Sequence, residues 1–303
     1  MVPARYSVTR ATLFVAVSAC CFGSLTTLTL LGLHAGLPLT DILFWRFSLA
    51  SGFLFVITWR ARKEYRFDST AWRLVGIGAV AQAAISYLSF RALDYLPVGV
   101  LAFLFYTYPA WVAIISALRG REKFTVIRLV ALTLAMTGIA VMISAPKANA
   151  LSTIGIAIAL GTALLYALYL PMINDAQRQL PAFVASFYLV TGMAISFLVI
   201  SIVTGNLKTP QTLNAWGLLF ALSIIGTVLA FGSLMAGLRT LGPVRTSIVS
   251  TVEPFFTAIL GAAILKQGLT IAIIGGGILI AAAVAVLATD ARTETNLEQS
   301  PNQ

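Results

Sequence analysis

The feature that most constrains this chain is a series of ten apolar segments, each about 20 residues long, separated by short connections. They cover residues 11–32, 39–59, 72–92, 96–118, 126–145, 152–172, 182–203, 214–238, 244–265 and 269–288. A bilayer's hydrocarbon core is roughly 30 Å thick and a helix rises about 1.5 Å per residue, so each segment has the length of a transmembrane helix. Barrel strands would run about 10 residues with alternating polarity, whereas these segments are apolar on every face. The expected fold is an all-α membrane protein of ten transmembrane helices, with no room for a soluble domain. The narrowest interruption is Lys266-Gln267-Gly268, between the last two segments. Arg5 and Arg10 precede the first segment as they would in a signal peptide, but its apolar stretch exceeds the roughly 7–15 residues of a signal core. Cys20 and Cys21 are adjacent within it; they cannot staple a fold and read as small buried hydrophobes.

Charge is scarce: 10% of residues are charged, against about 25% in a soluble domain. The formal net charge of +10 therefore raises the question of where the cations sit. With the N-terminus inside, the inner face receives Arg5, Arg10, Arg60, Arg62, Lys63, Arg66, Arg73, Arg119, Arg121, Lys123, Arg128, Arg178, Arg239, Arg245 and Arg292. The outer face receives only Arg91, Lys147, Lys208 and Lys266, and Arg46 lies within a span. Such a bias in short loops is the positive-inside signal, and it puts both termini in the cytoplasm. Trp59 and Trp72 flank the most basic loop, as interfacial anchors do. The net charge thus encodes orientation, and no nucleic-acid partner is expected.

The chain also overlays itself at a shift of about 144 residues. Leu37-Pro38 matches Leu180-Pro181, Trp72-Arg73-Leu74 matches Trp216-Gly217-Leu218, and Tyr108-Pro109 matches Glu253-Pro254. Ala113/Ala258, Ala117/Ala262 and Thr125/Thr270 are identities at 145. The expected organisation is an N-terminal cytoplasmic segment (1–10), a first five-helix repeat (11–145), a second (152–288) and a cytoplasmic tail (289–303). Five spans is an odd number, so the second repeat starts on the opposite side and is inverted. Inverted repeats mark secondary transporters, because one asymmetric unit and its inverted copy can exchange conformations.

Over roughly residues 10–290 the sequence resembles the EamA-type, ten-helix branch of the drug/metabolite transporter superfamily. Thr251-Val252-Glu253-Pro254 followed by Ala258 and Leu260-Gly261 resembles that family's stretch of Glu-Pro followed by Ala-x-Leu-Gly, and Arg46-Phe47 its Arg-Phe in the second helix. The first-half counterpart reads Tyr-Pro, and Lys266-Gln267 stands where a Gly-Glu often closes the ninth helix. The resemblance implies a multi-pass protein of the cytoplasmic membrane that exports amino acids, related metabolites or drugs.

Charged residues within spans are costly and mark function by default. Asp41 is near the outer end of the second span, where it is expected to reach water. Arg46 lies about seven residues into that span; it either ties helices together through a carboxylate or backbone carbonyls, or binds a substrate carboxylate. Glu253 lies near the midplane of the ninth span. It is a candidate for substrate binding and proton coupling, or else an ion-pair partner, with Arg46 the obvious cation. Pro109 and Pro254 recur at matching places as candidate hinges, each freeing the carbonyl four residues earlier, at Phe105 and Ser250. Phe22, Gln82, Ser86, Tyr106, Tyr108, Tyr166, Tyr169 and Ser250 supply aromatic and polar groups around these positions and, with Glu253, are the expected substrate-binding set, with Phe103 and Trp111 nearby. Plain helix packing is the competing reading for each alone. Gly277, Ala281 and Ala285 have the spacing of a close-packing face in the tenth span. Arg91 and Asp94 are expected to pair at the surface.

The only histidine is His34, and no metal constellation or phosphate-binding loop is present. No metal, cofactor or catalytic residue is therefore expected, and the expected partners are a small-molecule substrate and the bilayer. A membrane-embedded enzyme or lipid-handling protein is the alternative to a transporter; it would need a catalytic constellation that the residues do not supply.

Overall fold

The computed structural model describes residues 6–62, 68–96, 98–120, 125–142, 152–205, 207–265 and 271–299. Lys266-Gln267-Gly268, and the loop cations Lys63, Arg66, Arg121, Lys123 and Lys147, lie outside them, as does the Phe103 side chain. Within the described residues the regular structure is entirely helical. Six helices are long and apolar enough to cross a bilayer: Val8–His34, Leu39–Ile57, Ser69–Asp94, Thr153–Ala176, Ala182–Thr204 and Leu213–Val249. The last kinks at Gly242, whose φ of 75° suits glycine, so it carries the end of span 8 and the start of span 9. Tyr108–Leu118, Val126–Val141, Val252–Ile264 and Ile274–Val286 are the shorter apolar helices of spans 4, 5, 9 and 10. Trp59 and Trp72 stand exposed on the outside of the bundle.

The repeat is visible in how the helices begin. Ser7 and Ser152, 145 residues apart, cap spans 1 and 6 by accepting from Arg10 N and Gly155 N. Asp68 and Thr212, 144 apart, cap spans 3 and 8 through Ala71 N and Ala215 N. Such caps satisfy backbone donors that the first helical turn leaves unpaired. Spans 2 and 7 both follow a proline, Pro38 and Pro181.

Packing follows the same inverted plan. Span 1 packs on spans 8 and 9, and span 6 correspondingly on spans 3 and 4; span 2 pairs with span 7, and span 5 with span 10. The fold is therefore ten transmembrane helices in two inverted five-helix repeats. Spans 2 and 7 are joined by a Ser51–Thr191 hydroxyl bond of 2.8 Å and by stacked Phe47 and Phe197 rings 5.6 Å apart. The expected small-residue face of span 10 divides. Gly277 is pressed against the Phe255 ring, but Ala281 and Ala285 are exposed. The close approach between spans 5 and 10 instead runs through Gly138 and the Gly276 carbonyl.

Two irregularities escape any reading of the sequence pattern. Spans 3 and 8 each contain a π-helical segment, Gly78–Gln82 and Ile224–Leu229, at matching places in the two repeats. A π turn inserts a residue and frees a backbone carbonyl, a feature often found at functional sites. In span 3 the Ala79 carbonyl accepts from Ser196 of span 7 at 2.6 Å. In span 8 the Gly226 carbonyl accepts from Arg46 of span 2 at 3.0 Å.

The span 3–span 7 contact depends on glycine. A Cβ on Gly78 would lie 2.0 Å from the Leu189 carbonyl oxygen, and one on Gly192 would lie 2.0 Å from that of Val75. Backbone cannot yield as a flexible side chain can. Gly192→Ala is expected to cost about 2 kcal/mol or more by overpacking, read as a lower thermal midpoint in detergent. Gly161→Ala, where a Cβ meets nothing within 4 Å, is expected to leave the midpoint unchanged or slightly raised.

Candidate functional site

A cavity of about 350 Å³ lies between the halves, lined from spans 1, 2, 3, 4, 5, 6, 8 and 9. Of the expected substrate-binding residues, Phe22, Gln82, Ser86, Tyr106, Tyr108, Tyr166 and Glu253 line it, joined by Arg46 and Pro254. Tyr169, Ser250 and Pro109 are not part of the lining. Tyr169 is buried behind Tyr166, with ring centroids 5.6 Å apart. Ser250 is buried too, beside the Tyr108 phenol, where spans 4 and 9 meet. Both are thus one layer behind the wall, because residues three or four apart share a helix face without sharing a depth.

Glu253 is held by three elements. Its carboxylate lies beside the Tyr106 hydroxyl. The Thr257 hydroxyl, one turn on, contacts the Glu253 carbonyl and the Gly23 carbonyl of span 1, each at 3.0 Å. Span 1 comes this close because Gly23 has no side chain: a Cβ there would lie 2.9 Å from the Glu253 carbonyl oxygen. Glu253 is half-buried and lines the cavity. Aromatic rings form the walls around it. Tyr108 and Tyr166 meet edge to face at 4.6 Å, Phe105 and Tyr166 at 5.6 Å, and Phe22 and Phe231 at 5.1 Å. Gln82 is buried, and among the described residues its amide oxygen has no hydrogen-bond partner, leaving an acceptor at the cavity wall.

Arg46 is 3% exposed. Its guanidinium donates to the Thr227 hydroxyl at 2.8 Å and the Gly226 carbonyl at 3.0 Å, and lies 4.6 Å from the Phe47 ring centroid. Ser223 returns a bond to the Arg46 carbonyl at 3.0 Å. Among the described residues no ion pair joins Arg46 to Glu253. The expected pairing is replaced by two separate arrangements: a hydroxyl and a π-segment carbonyl for the arginine, a phenol for the carboxylate. Asp41 also departs from expectation. It is 1% exposed and accepts from the Lys208 backbone at 3.2 Å, while Trp45 donates to the Lys208 carbonyl at 3.1 Å, so it holds the loop between spans 7 and 8 and does not reach water. Arg91 and Asp94 pair at the surface.

The proline positions are breaks. Span 4 interrupts its helix at Tyr106-Thr107 and span 9 at Ser250-Thr251, each just before a proline-bearing helix. The Ser250 carbonyl is not freed for a substrate, because Glu253 N donates to it at 3.0 Å. At each break a threonine closes the turn: the Thr107 hydroxyl bonds the Leu104 carbonyl at 2.7 Å and the Thr251 hydroxyl the Ile248 carbonyl at 2.6 Å. Phe231, Thr26 and Thr257 also line the cavity, although the sequence pattern does not mark them as a set. Only Thr257, one turn beyond Glu253, carried a readable signal.

A transmembrane bundle of inverted repeats around a polar-footed aromatic cavity has the architecture of a solute transporter. The EamA-like transporter family model matches residues 9–144 and 153–289, and the chain belongs to that family. It is 24% identical over 280 residues to an uncharacterized transporter, YcbK, of Bacillus subtilis (strain 168), covering 88% of this chain and 89% of that one. A crystal structure of a protein 18% identical in sequence superposes with a TM-score of 0.77, covering 96% of this chain and 99% of that one, a likeness of fold.

Removing the Arg46 guanidinium leaves the Gly226 carbonyl unpaired in a buried setting, which costs about 1–3 kcal/mol. Arg46→Gln is expected to lower the thermal midpoint by several degrees. Arg46→Lys is expected to recover only part of it, because one ammonium cannot reproduce the two-site fork. Ser86→Ala, in the same cavity, is expected to leave the midpoint unchanged.

Proposed function

We propose that this member of the family exports amino acids or closely related zwitterionic metabolites by alternating access across the cytoplasmic membrane, with no catalytic step and with both termini in the cytoplasm. The observation that carries the reading is the pairing in one cavity of a single carboxylate, Glu253, with an aromatic wall of Phe105, Tyr108 and Tyr166. A carboxylate beside ring faces suits an ammonium group, which gains from both. Apolar walls with a few fixed polar groups favour a small amphipathic solute. Glu253 is the proposed coupling residue, because a carboxylate near the midplane can alternate between a proton and a substrate amine. Pro109 and Pro254, at the two helix breaks, are the proposed pivots.

The cavity draws on residues 22–26 of span 1, 82–93 of span 3, 101–108 of span 4 and 253–258 of span 9. In the positive-inside orientation these occupy the outer half of the bundle. Next to the cavity on the inner side the bundle is filled by buried Val112, Ala113, Val244 and Ile248. This arrangement supports an outward-facing state.

Two measurements test the reading. Purified protein in liposomes is expected to catalyse counterflow of at least one labelled amino acid from a panel. Glu253→Gln is expected to retain exchange but lose proton-driven accumulation by at least about tenfold, the loss expected of a positioned proton carrier. Unchanged gradient-driven accumulation would falsify the coupling role. Separately, in a Cys20→Ala/Cys21→Ala background on intact cells, Ser89→Cys is expected to react with an impermeant thiol reagent and Ser116→Cys to remain unlabelled. The reverse pattern would overturn the outward-facing assignment.

A further inference from the structure

Among the described residues that line the central cavity, two carry charge, Glu253 and Arg46, and their signs are opposite. They enter from different walls. Arg46 stands on span 2 and its guanidinium is held by span 8. Glu253 stands on span 9, which packs against spans 1 and 10. Among the described residues Arg46 forms no ion pair: its partners, the Thr227 hydroxyl and the Gly226 carbonyl, are both neutral. Those bonds use Nε and Nη2. A guanidinium carries donors on all three nitrogens, so those of Nη1 remain.

A buried cation bonded only to neutral groups keeps its full charge where charge is costly. Support of the π segment in span 8 accounts for the two bonds. It does not account for the charge, because a neutral donor would serve a hydroxyl and a carbonyl without burying a cation. Nor does it account for the place of the residue at the cavity wall. The guanidinium is also fixed before any ligand arrives. Two bonds hold it, its Cζ lies 4.6 Å from the Phe47 ring centroid, and Ser223 bonds its backbone carbonyl at 3.0 Å. A donor fixed in advance loses little freedom on binding. Planar guanidinium groups match the oxygens of a carboxylate, and the resulting bonds are stronger than those between neutral partners.

We propose that Arg46 binds the carboxylate of the substrate while Glu253 takes its ammonium, so that the substrate class is the free amino acid, read at both charges. The assignment rests on the amino-acid reading of this cavity. It goes beyond that reading by naming the group that rejects amines and amino-acid amides, which share the ammonium and the side chain. Opposite charges on separate walls, unpaired with each other, suit a ligand that brings both. The loaded cavity then holds two charge pairs and no excess.

The test uses the full chain, purified in a neutral detergent, with the thermal midpoint as readout. The probes are the L-amino acids and, for each, its carboxamide. The amide keeps the ammonium and the side chain and replaces the carboxylate by a neutral group of nearly the same shape. Mildly acidic buffer keeps the amine of both charged. At least one amino acid is expected to raise the midpoint, as a ligand that binds only the folded state must. Its half-saturating concentration is expected to be about tenfold or more below that of its amide, the scale of charge-assisted hydrogen bonds. In Arg46→Gln the two are expected to saturate at similar concentrations. The comparison is made within one protein, so a lower starting midpoint does not enter it. If Arg46→Gln does not fold, Arg46→Lys replaces it, with the preference reduced and not abolished, because the charge remains while the fork is lost. Arg60→Gln, an equal loss of charge at an exposed position outside the cavity, is expected to keep the full preference. Equal binding of acid and amide by the unaltered protein, or an unchanged preference in the folded Arg46 variant, overturns the carboxylate assignment and leaves the ammonium reading standing. No shift with any amino acid overturns both.

Discussion

The constraint on which the rest of this structure depends is that a backbone amide or carbonyl in hydrocarbon must find a partner inside the protein. Regular helix meets that demand without side chains, and most of the chain is regular helix. Where the helix is irregular, a polar side chain stands beside the defect. Thr107 and Thr251 close the breaks of spans 4 and 9 on the Leu104 and Ile248 carbonyls. Ser196 and Arg46 serve the π segments of spans 3 and 8 at Ala79 and Gly226. The polar residues within the spans are thus explained first by backbone chemistry, and only the remainder are available to a solute.

That accounting separates Arg46 from Glu253. Both are charged and both line the central cavity. Arg46 spends its fork on Gly226 and Thr227, so its removal is first a matter of stability. Glu253 makes no such repair with its carboxylate. It lies beside a phenol, Tyr106, whose own place in the wall is fixed by the break at Tyr106-Thr107. An ionised carboxylate has about four acceptor sites, more than one neighbouring phenol can fill.

Most of the fold was legible because the signals that carry it are compositional. Segment length, the side on which Arg and Lys fall, and the repeated Trp and Pro anchors survive without knowledge of any contact. The π segments were not legible, since inserting one residue into an apolar helix changes neither its hydropathy nor its length enough to notice. Asp41 was misplaced for a related reason. Position near a span's end predicts exposure, but here the loop carrying Lys208 folds over it. Within the cavity, residue type identified Glu253, Tyr106, Tyr108 and Tyr166. Depth was not readable, and so Tyr169 and Ser250 fall one layer behind the wall.

The two repeats are alike in structure and unlike in chemistry, and one of the differences falls at the proline-bearing breaks. Tyr108-Pro109 and Glu253-Pro254 occupy equivalent places after equivalent breaks. Exchange between inward- and outward-facing states by inverted halves requires that the breaks, caps and close contacts be matched, since each half must be able to adopt the other's conformation. Those features are matched here: serine caps on spans 1 and 6, π segments in spans 3 and 8, threonine closures in spans 4 and 9. Recognition of a solute with distinct ends requires the opposite, a cavity whose two sides differ. Under the proposed function, placing the acid in one repeat and the phenol in the other meets that need at a single site. The structural symmetry that exchange demands is left intact, because the two side chains project from the first turns of equivalent proline-bearing helices, one in each repeat.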